Sequence, residues 1–497
     1  MSLYKENYKM TKHSPTPDII SISSHNKIEI LGPAELKTLK KGTYQLLAEV
    51  GVFYPSEKAL KIFADHGADV DWDTKIVRIP PDLVDKAMAT APREFVLGGR
   101  EPRFDLTLDG SRSYLTTDGC GVHVIDLETR EKRSSKKADV AMMARVGDAL
   151  PMVSFFWPMV SAQDHGLTAP LHECHAGLTS TLKHVRGGTT VYPELAPYLV
   201  EMATVVSGSE SERRKRPPIC ANICGIAPLS HDEHGIETAL IYSEAGIPVS
   251  FMAMPTMGST APASVLGAIV QGDAESVSAM VLTQLAHPGA PVFHSIITSL
   301  MDPRTGGYIG DMPLPVNFIA VQMAHAWGVP SLGGGSFSSD APDISWQSAF
   351  ESGFGGSQIP LAGGDLCGYL GLMNSSMVIY PEQIILDAEI AMNVYETYKA
   401  FEFKDLDENL DVIREVGPQG HYLRQKHTRS HIRDFHFSPF FGKQDQEGNL
   451  REPREIALDK FKEIEKNHHP EPLPESSLKE LDKILAAADK KAMELGS

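Results

Sequence analysis

Cysteine is scarce in this chain: five residues among 497 give no disulfide framework. The closest two, Cys220 and Cys224, flank Ala-Asn-Ile in a strand-like run and read as buried thiols. Positive charge is also short. Against 64 Asp and Glu stand 46 Lys and Arg, a formal net charge of −18, which argues against a nucleic-acid binder, since that needs a basic face. The one compact basic cluster, Arg213-Arg214-Lys215-Arg216, lies beside Ser-Gly-Ser-Glu and reads as a solvated loop. No continuous apolar run reaches the ~18 residues of a membrane span, and the first residues, Met-Ser-Leu-Tyr-Lys-Glu-Asn-Tyr, lack the apolar core of a secretion signal. A reducing cytoplasm is the expected compartment. From Ile241 to Leu300 there is no Lys or Arg and the only acids are Glu244, Asp273 and Glu275; so little charge reads as buried sheet.

Several motifs are missing as well. There is no Gly-x-Ser-x-Gly elbow, no P-loop and no Gly-x-Gly-x-x-Gly after the first strand, so phosphoryl transfer and dinucleotide chemistry lack support. The pairs His172/His175 and His231/His234 are each spaced i,i+3. Zinc needs three or four aimed ligands, and neither pair has a distant partner at a matching spacing. They read as polar residues at helix starts, and no metal is assigned.

What is present is an alternation. After a polar start, residues 33–93 read as helices and 95–127 as short strands, with Lys136 to Leu150 helical again. We read residues 1–150 as a helical and small-sheet α+β cap. Between 151 and 400, strand-like runs alternate with helical ones, the signature of parallel βα units. The expected strands are Val153–Trp157, His184–Tyr192, Ile219–Gly225, Pro248–Met254, Pro291–Ile297, Pro330–Gly335 and Ile359–Asp365. That is seven, one short of a (β/α)8 TIM-type barrel, and the eighth is sought in the front section or in a misread segment. Residues 401–497 are expected to form a C-terminal helical extension packed on the barrel. There, Gly420-His-Tyr-Leu is an irregular segment folded back on the body, and Ser477 caps a final helix with Glu480 three residues on.

Chemistry in such barrels sits at the C-terminal strand ends. The run Gly328-Val-Pro-Ser-Leu-Gly-Gly-Gly-Ser-Phe-Ser-Ser-Asp340 opens from a strand into three glycines, which let backbone approach a ligand closely. Aromatics recur at the same level: Phe156 and Trp157, Tyr192, Phe337 and Tyr369. An aromatic box beside a carboxylate suits a quaternary ammonium, because cation–π attraction is strong where water is excluded.

At this point the chain resembles the trimethylamine methyltransferase superfamily, and within it the members without pyrrolysine, of the glycine betaine:corrinoid methyltransferase type. The likeness runs from about Leu31 to Lys491. Its carriers are Gly258-Ser-Thr-Ala-Pro-Ala-Ser-Val-Leu-Gly-Ala with Asp273-Ala-Glu275, Asp302-Pro-Arg-Thr-Gly306, Gly328-Val-Pro-Ser, Ser339-Asp-Ala-Pro-Asp343 with Gln347, and Gly420-His-Tyr-Leu with His427. The resemblance implies a (β/α)8 barrel that passes a methyl group from an amine to the cobalt of a corrinoid. That cofactor, cob(I)alamin becoming methylcobalamin, rides on a separate small corrinoid-binding protein and is not permanently bound here. Trimethylamine enzymes of the family carry pyrrolysine in the glycine-mouth region. Ordinary residues stand there in this chain, which turns the expectation from trimethylamine to a quaternary amine. For glycine betaine, the expected box is Trp157, Tyr192 and Phe337, with Tyr369 and Trp346 beside it. Expected donors to the substrate carboxylate are Asn222, His294, Ser336 and the amides of Gly333, Gly334 and Gly335, and Asp340 and Asp365 would supply negative potential. No catalytic acid or base is assigned. Carnitine, proline betaine and γ-butyrobetaine are the alternative substrates, and a zinc-dependent methyltransferase and a non-catalytic betaine-binding protein the other readings. A homo-oligomer without membrane or nucleic-acid partners is expected.

Overall fold

Along Val249–Ala253, Val249 and Phe251 pack into one apolar cluster while Met252, one register away, packs into another. That two-residue alternation, apolar on both faces, is the mark of a strand with helices outside and a filled interior. The computed structural model describes residues 16–119, 121–189, 192–310, 314–334, 337–399 and 405–495. Eight segments of this kind form its centre: β1 (Arg112–Thr117), β2 (Phe155–Phe156), β3 (His184–Gly188), β4 (Ile219–Cys224), β5 (Val249–Ala253), β6 (Val292–Ile296), β7 (331–332) and β8 (Leu366–Leu370). Each pairs in parallel with its neighbours in sequence order. His294 bridges to Ser331 and Leu332 to Leu366. β8 then pairs with β1, Leu366 opposite Tyr114 and Cys367 opposite Leu115, and the ring closes. The fold is a (β/α)8 barrel.

A helix follows every strand: α1 (Lys137–Ala149), α2 (Ala169–Ser180), α3 (Ala196–Ser207), α4 (Glu233–Glu244), α5 (Val265–Ala286), α6 (Val316–Trp327), α7 (Trp346–Ala362) and α8 (Gln383–Tyr398). The N-terminal end of the barrel is stopped by the hairpin of Phe95–Leu97 and Leu106–Leu108. Its Leu97, Leu106 and Leu108 cluster with Tyr114, Phe155, Cys220, Phe293 and Leu366. Ligand access is therefore from the opposite, C-terminal end.

Three expectations about the barrel change. The missing strand is β1, which lies in the front section, so the barrel begins well before residue 150. Ile359–Asp365 is not a strand: Ile359 to Ala362 end α7, Gly363 caps the helix in the left-handed conformation at φ +76°, and β8 starts at Leu366. The charge-poor stretch 241–300 holds a helix as well as strands. α5 packs against β5 and β6 on one side and against helices Pro33–Gln45, Glu57–Asp65 and Pro81–Met88 on the other. It is long and apolar enough to cross a membrane, yet 78% of its most apolar stretch is buried inside the protein. A helix apolar all round is what a doubly covered position requires.

The histidine pair on α2 serves docking. His172 Nε2 lies 3.0 Å from Asp489 and His175 Nε2 3.3 Å from Asp482, both on the final helix Glu475–Leu495. That helix also buries Leu481, Leu485 and Ala488 against Leu199 and Met202 of α3. It begins two residues before Ser477, whose expected capping role falls away. Helices Leu406–Val416 and Lys426–His431 bury no residue, and Tyr422 and Leu423 between them are exposed. The Gly420 segment thus stands in solvent instead of packing on the body.

Candidate active site

Thr117, the last residue of β1, fixes the indole at the centre of the site. Its hydroxyl accepts from Trp157 N at 2.9 Å and donates to Trp157 O at 2.6 Å, so Trp157 is clamped where β2 ends. Gly119 lies directly against the ring, and a Cβ there would come within 2.3 Å of three indole atoms. Only glycine leaves room for the indole at this position. The Tyr369 ring lies 5.5 Å from that of Trp157 at 55°, a tilted aromatic pair at the C-terminal ends of β2 and β8. Tyr369 is held at φ +71°, a conformation uncommon for a bulky side chain.

Arg186 is the cation of the site. On β3, Val185 faces the helices, so His184 and Arg186 face the barrel interior. The Arg186 side chain is fully buried, and its guanidinium carbon sits 3.9 Å from the Trp157 ring centroid. Nη2 donates to Asn222 Oδ1 on β4. The Asn222 amide is oriented by that bond and by Nδ2 facing Cys224 Sγ at 3.5 Å. Among the described residues, Arg186 Nε and Nη1 have no hydrogen-bond partner.

The acid beside them is Asp118, buried immediately after β1. Its carboxylate accepts from Ser376 Oγ at 2.5 Å and from Gly119 N at 2.7 Å. Burial pushes its pKa up to about 7, although the two hydrogen bonds and the Arg186 charge oppose the shift. Asp387, on α8, is likewise raised to about 7 by burial, and the charge of Asp118 adds to that rise. A cavity of about 200 Å³ is lined by Gly119, Trp157, Glu173, Arg186, Gly187 and Thr189, among others. That is smaller than the ~300 Å³ at which drug-sized sites begin and suits a small metabolite.

Of the residues expected from sequence, the structure brings together Trp157, Tyr369 and Asn222. The other described ones go elsewhere. His294 has the opposite parity on β6 from Phe293, which faces the barrel interior, and so points to the helix layer. There its Nε2 lies 2.7 Å from Asp273, which also accepts from Trp327 Nε1 at 3.0 Å. Phe337 is buried among Leu115, Ile359 and Leu370, with its ring against Gly356 of α7. Tyr192 packs 5.1 Å from the His234 ring on the outer side of the barrel. Trp346, 80% exposed, stacks on Phe350 at the surface. Asp365 precedes β8 and therefore lies at the wrong end of the barrel, accepting from Ser331 N and facing His325. Asp340 joins two loops, accepting from Gly310 N and Ser375 Oγ. Gly333 and Gly334 are packing glycines, since a Cβ would strike Ile359 or Ile297. Gly335 and Ser336 lie outside the described residues. Arg186 and Asp118 escaped the sequence reading, although an arginine at an inward strand position before Gly187-Gly188 was a visible signal.

The family described as trimethylamine methyltransferase matches residues 5–494. Trimethylamine methyltransferase MttB of Desulfitobacterium hafniense (strain DSM 10664 / DCB-2) is 32% identical over 449 residues, covering 89% of this chain and 90% of that protein. Glycine betaine methyltransferase of D. hafniense (strain Y51) is 28% identical over 422 residues, covering 82% and 86%. Among solved structures, the monomethylamine methyltransferase of Methanosarcina barkeri is similar at a TM-score of 0.49 and 13% identity over 90% of each chain.

Proposed function

Because the chain belongs to the trimethylamine methyltransferase family, we propose that it moves a methyl group from a quaternary amine, glycine betaine foremost, to the Co(I) corrinoid of a partner protein. The observation that carries this reading is the Trp157–Tyr369 pair beside a buried carboxyl group at the open end of the barrel. Aromatic faces and an acid are what a methylated ammonium group needs in a dry site. A glycine betaine methyltransferase among the relatives supports the choice of substrate.

The chemistry asks little of the protein. A quaternary ammonium already holds a neutral tertiary amine as its leaving group. When the C–N bond breaks, the electron pair stays on nitrogen, and the two-electron reductant Co(I) supplies the pair for the new bond to carbon. No proton moves, and glycine betaine becomes dimethylglycine. The side chains here orient the ammonium head, exclude water and neutralise charge. Ile226 after β4, Met254 after β5 and Met377 beyond β8 are exposed apolar residues near the barrel mouth and suit the approach of a partner surface.

A spectral assay of cob(I)alamin methylation across glycine betaine, carnitine, proline betaine, γ-butyrobetaine and trimethylamine tests the proposal. Turnover is expected with glycine betaine and not with trimethylamine. Turnover with trimethylamine alone would sink the reading.

Asp118 makes the site pH-sensitive. Its carboxyl titrates near 7, facing Arg186 and, more weakly, Asp387. Ionised Asp118 attracts the ammonium head and protonated Asp118 does not. Affinity for glycine betaine is therefore expected to rise as pH increases through about 7. Calorimetric titration from pH 6 to 8 checks the slope, and Asp118→Asn is expected to flatten it.

A further inference from the structure

A buried guanidinium with open N–H donors is costly unless something completes it. Arg186 is 1% exposed, lines the 200 Å³ cavity and is held in place by the Trp157 ring and Asn222. Among the described residues, its Nε–H and both Nη1–H groups have no acceptor. Asp118, the nearby acid, bonds to Ser376 Oγ and Gly119 N instead. Glu173, which also lines the cavity, accepts from Ala162 N at 3.0 Å. The site thus presents a fixed cation whose free donors await an anion that no described residue provides.

We infer that Arg186 is the specificity-determining residue, the anchor for a carboxylate on the substrate, and that this carboxylate is obligatory. The inference rests on the quaternary-amine reading above and narrows it to zwitterions. The carboxylate takes the open guanidinium edge through charge-assisted hydrogen bonds, the strong class of such bonds. The methylated head lies toward Tyr369 and Asp118. An uncharged or purely cationic amine leaves Arg186 unpaired and adds a second positive charge to the same small cavity. Sites built around a buried polar partner reject analogues that lack the matching group far more strongly than apolar pockets reject an extra methyl.

Three ligands separate the contributions: glycine betaine, its methyl ester (the same head with the carboxylate masked) and tetramethylammonium. By calorimetry on the full chain, glycine betaine is expected to bind at least ~100-fold more tightly than either of the others. In Arg186→Met that preference is expected to fall to within about threefold, through loss of glycine betaine affinity, and Arg186→Lys is expected to restore part of it. The wild-type comparison needs no variant to fold. Equal binding of the ester and glycine betaine by the wild-type protein would overturn the inference, as would an intact preference in a folded Arg186→Met. If the preference is present but no amine methylates cob(I)alamin, the anchor stands and the methyl-transfer reading fails. If glycine betaine is demethylated with no preference traceable to Arg186, the anchor fails and the transfer reading stands.

Discussion

Replacing Trp157 by alanine is expected to lower kcat/KM for glycine betaine by about 100-fold or more. The indole touches Gly119 and carries the Arg186 guanidinium at 3.9 Å and the Tyr369 ring at 5.5 Å. Losing it removes a desolvated cation–π surface, worth about 2 kcal/mol or more, and an aromatic pair worth roughly 1 kcal/mol. It also frees Arg186 from its fixed position. Together these correspond to about two decades in rate. Phe337→Ala provides the contrast. That ring is wholly buried among Leu115, Ile359 and Leu370 and takes no part in the box. It is expected to cost ~3–5 kcal/mol of stability, with far less effect on turnover per folded molecule. Steady-state kinetics and thermal melts on the two variants separate the roles. A Trp157→Ala enzyme with wild-type kcat/KM would remove the box.

A stability effect as large as that of Phe337→Ala is expected at Asp148, the end of a buried clasp on α1. One carboxylate oxygen accepts from Thr181 Oγ1 at 2.7 Å and Leu182 N at 2.8 Å. The other accepts from Thr16 Oγ1 at 2.5 Å and faces His468 Nε2 at 2.7 Å. Burial alone would raise this carboxyl, but His468 and the charge of Lys183 draw it below its ordinary value. Lys183 is itself buried, its ammonium donating to Gly147 O, Leu150 O and Val153 O at 2.6–2.9 Å. Four stretches of chain thus meet on one acid: the first described residues, α1, the link into β3, and the segment leading to the final helix. Asp148→Ala removes one partner of a buried charged pair, which typically costs 3–5 kcal/mol. His468→Ala is expected to cost less, roughly 1–2 kcal/mol, because Asp148 keeps its other donors. Chemical denaturation gives both values, and a double-mutant cycle gives their coupling. An Asp148→Ala protein as stable as wild type would show that the clasp contributes nothing.

The barrel itself was readable because βα alternation survives every loop. Helical spacing predicts helices over 316–327 and 383–398, and the observed helices are Val316–Trp327 and Gln383–Tyr398. β8 was misplaced because the apolar end of α7 and a buried strand look alike over a few residues. Only the glycine cap at Gly363 separates them. β1 was hidden among other short strands, and with it went Asp118 and Gly119. At the site, the limit was parity. A strand buried on both faces carries apolar residues at every position, so nothing in Val-Phe-His-Ser-Ile shows which face His294 takes, and a one-residue difference turns it away from the barrel. Phe337 and Tyr192 follow strands, but lie beyond the point where the chain turns outward to the helix layer. Arg186 was legible in principle: a charged residue in a strand with Val185 buried outward must face in.

The most direct measurement follows the methyl group. Glycine betaine labelled with 13C in its N-methyl groups, incubated with the purified protein, its corrinoid partner and a reductant, is read by NMR. One dimethylglycine per methyl group appearing on cobalt, formed about 100-fold more slowly by Trp157→Ala than by the wild-type protein, is the expected result. Unchanged glycine betaine and an unmethylated corrinoid with the wild-type protein would contradict it.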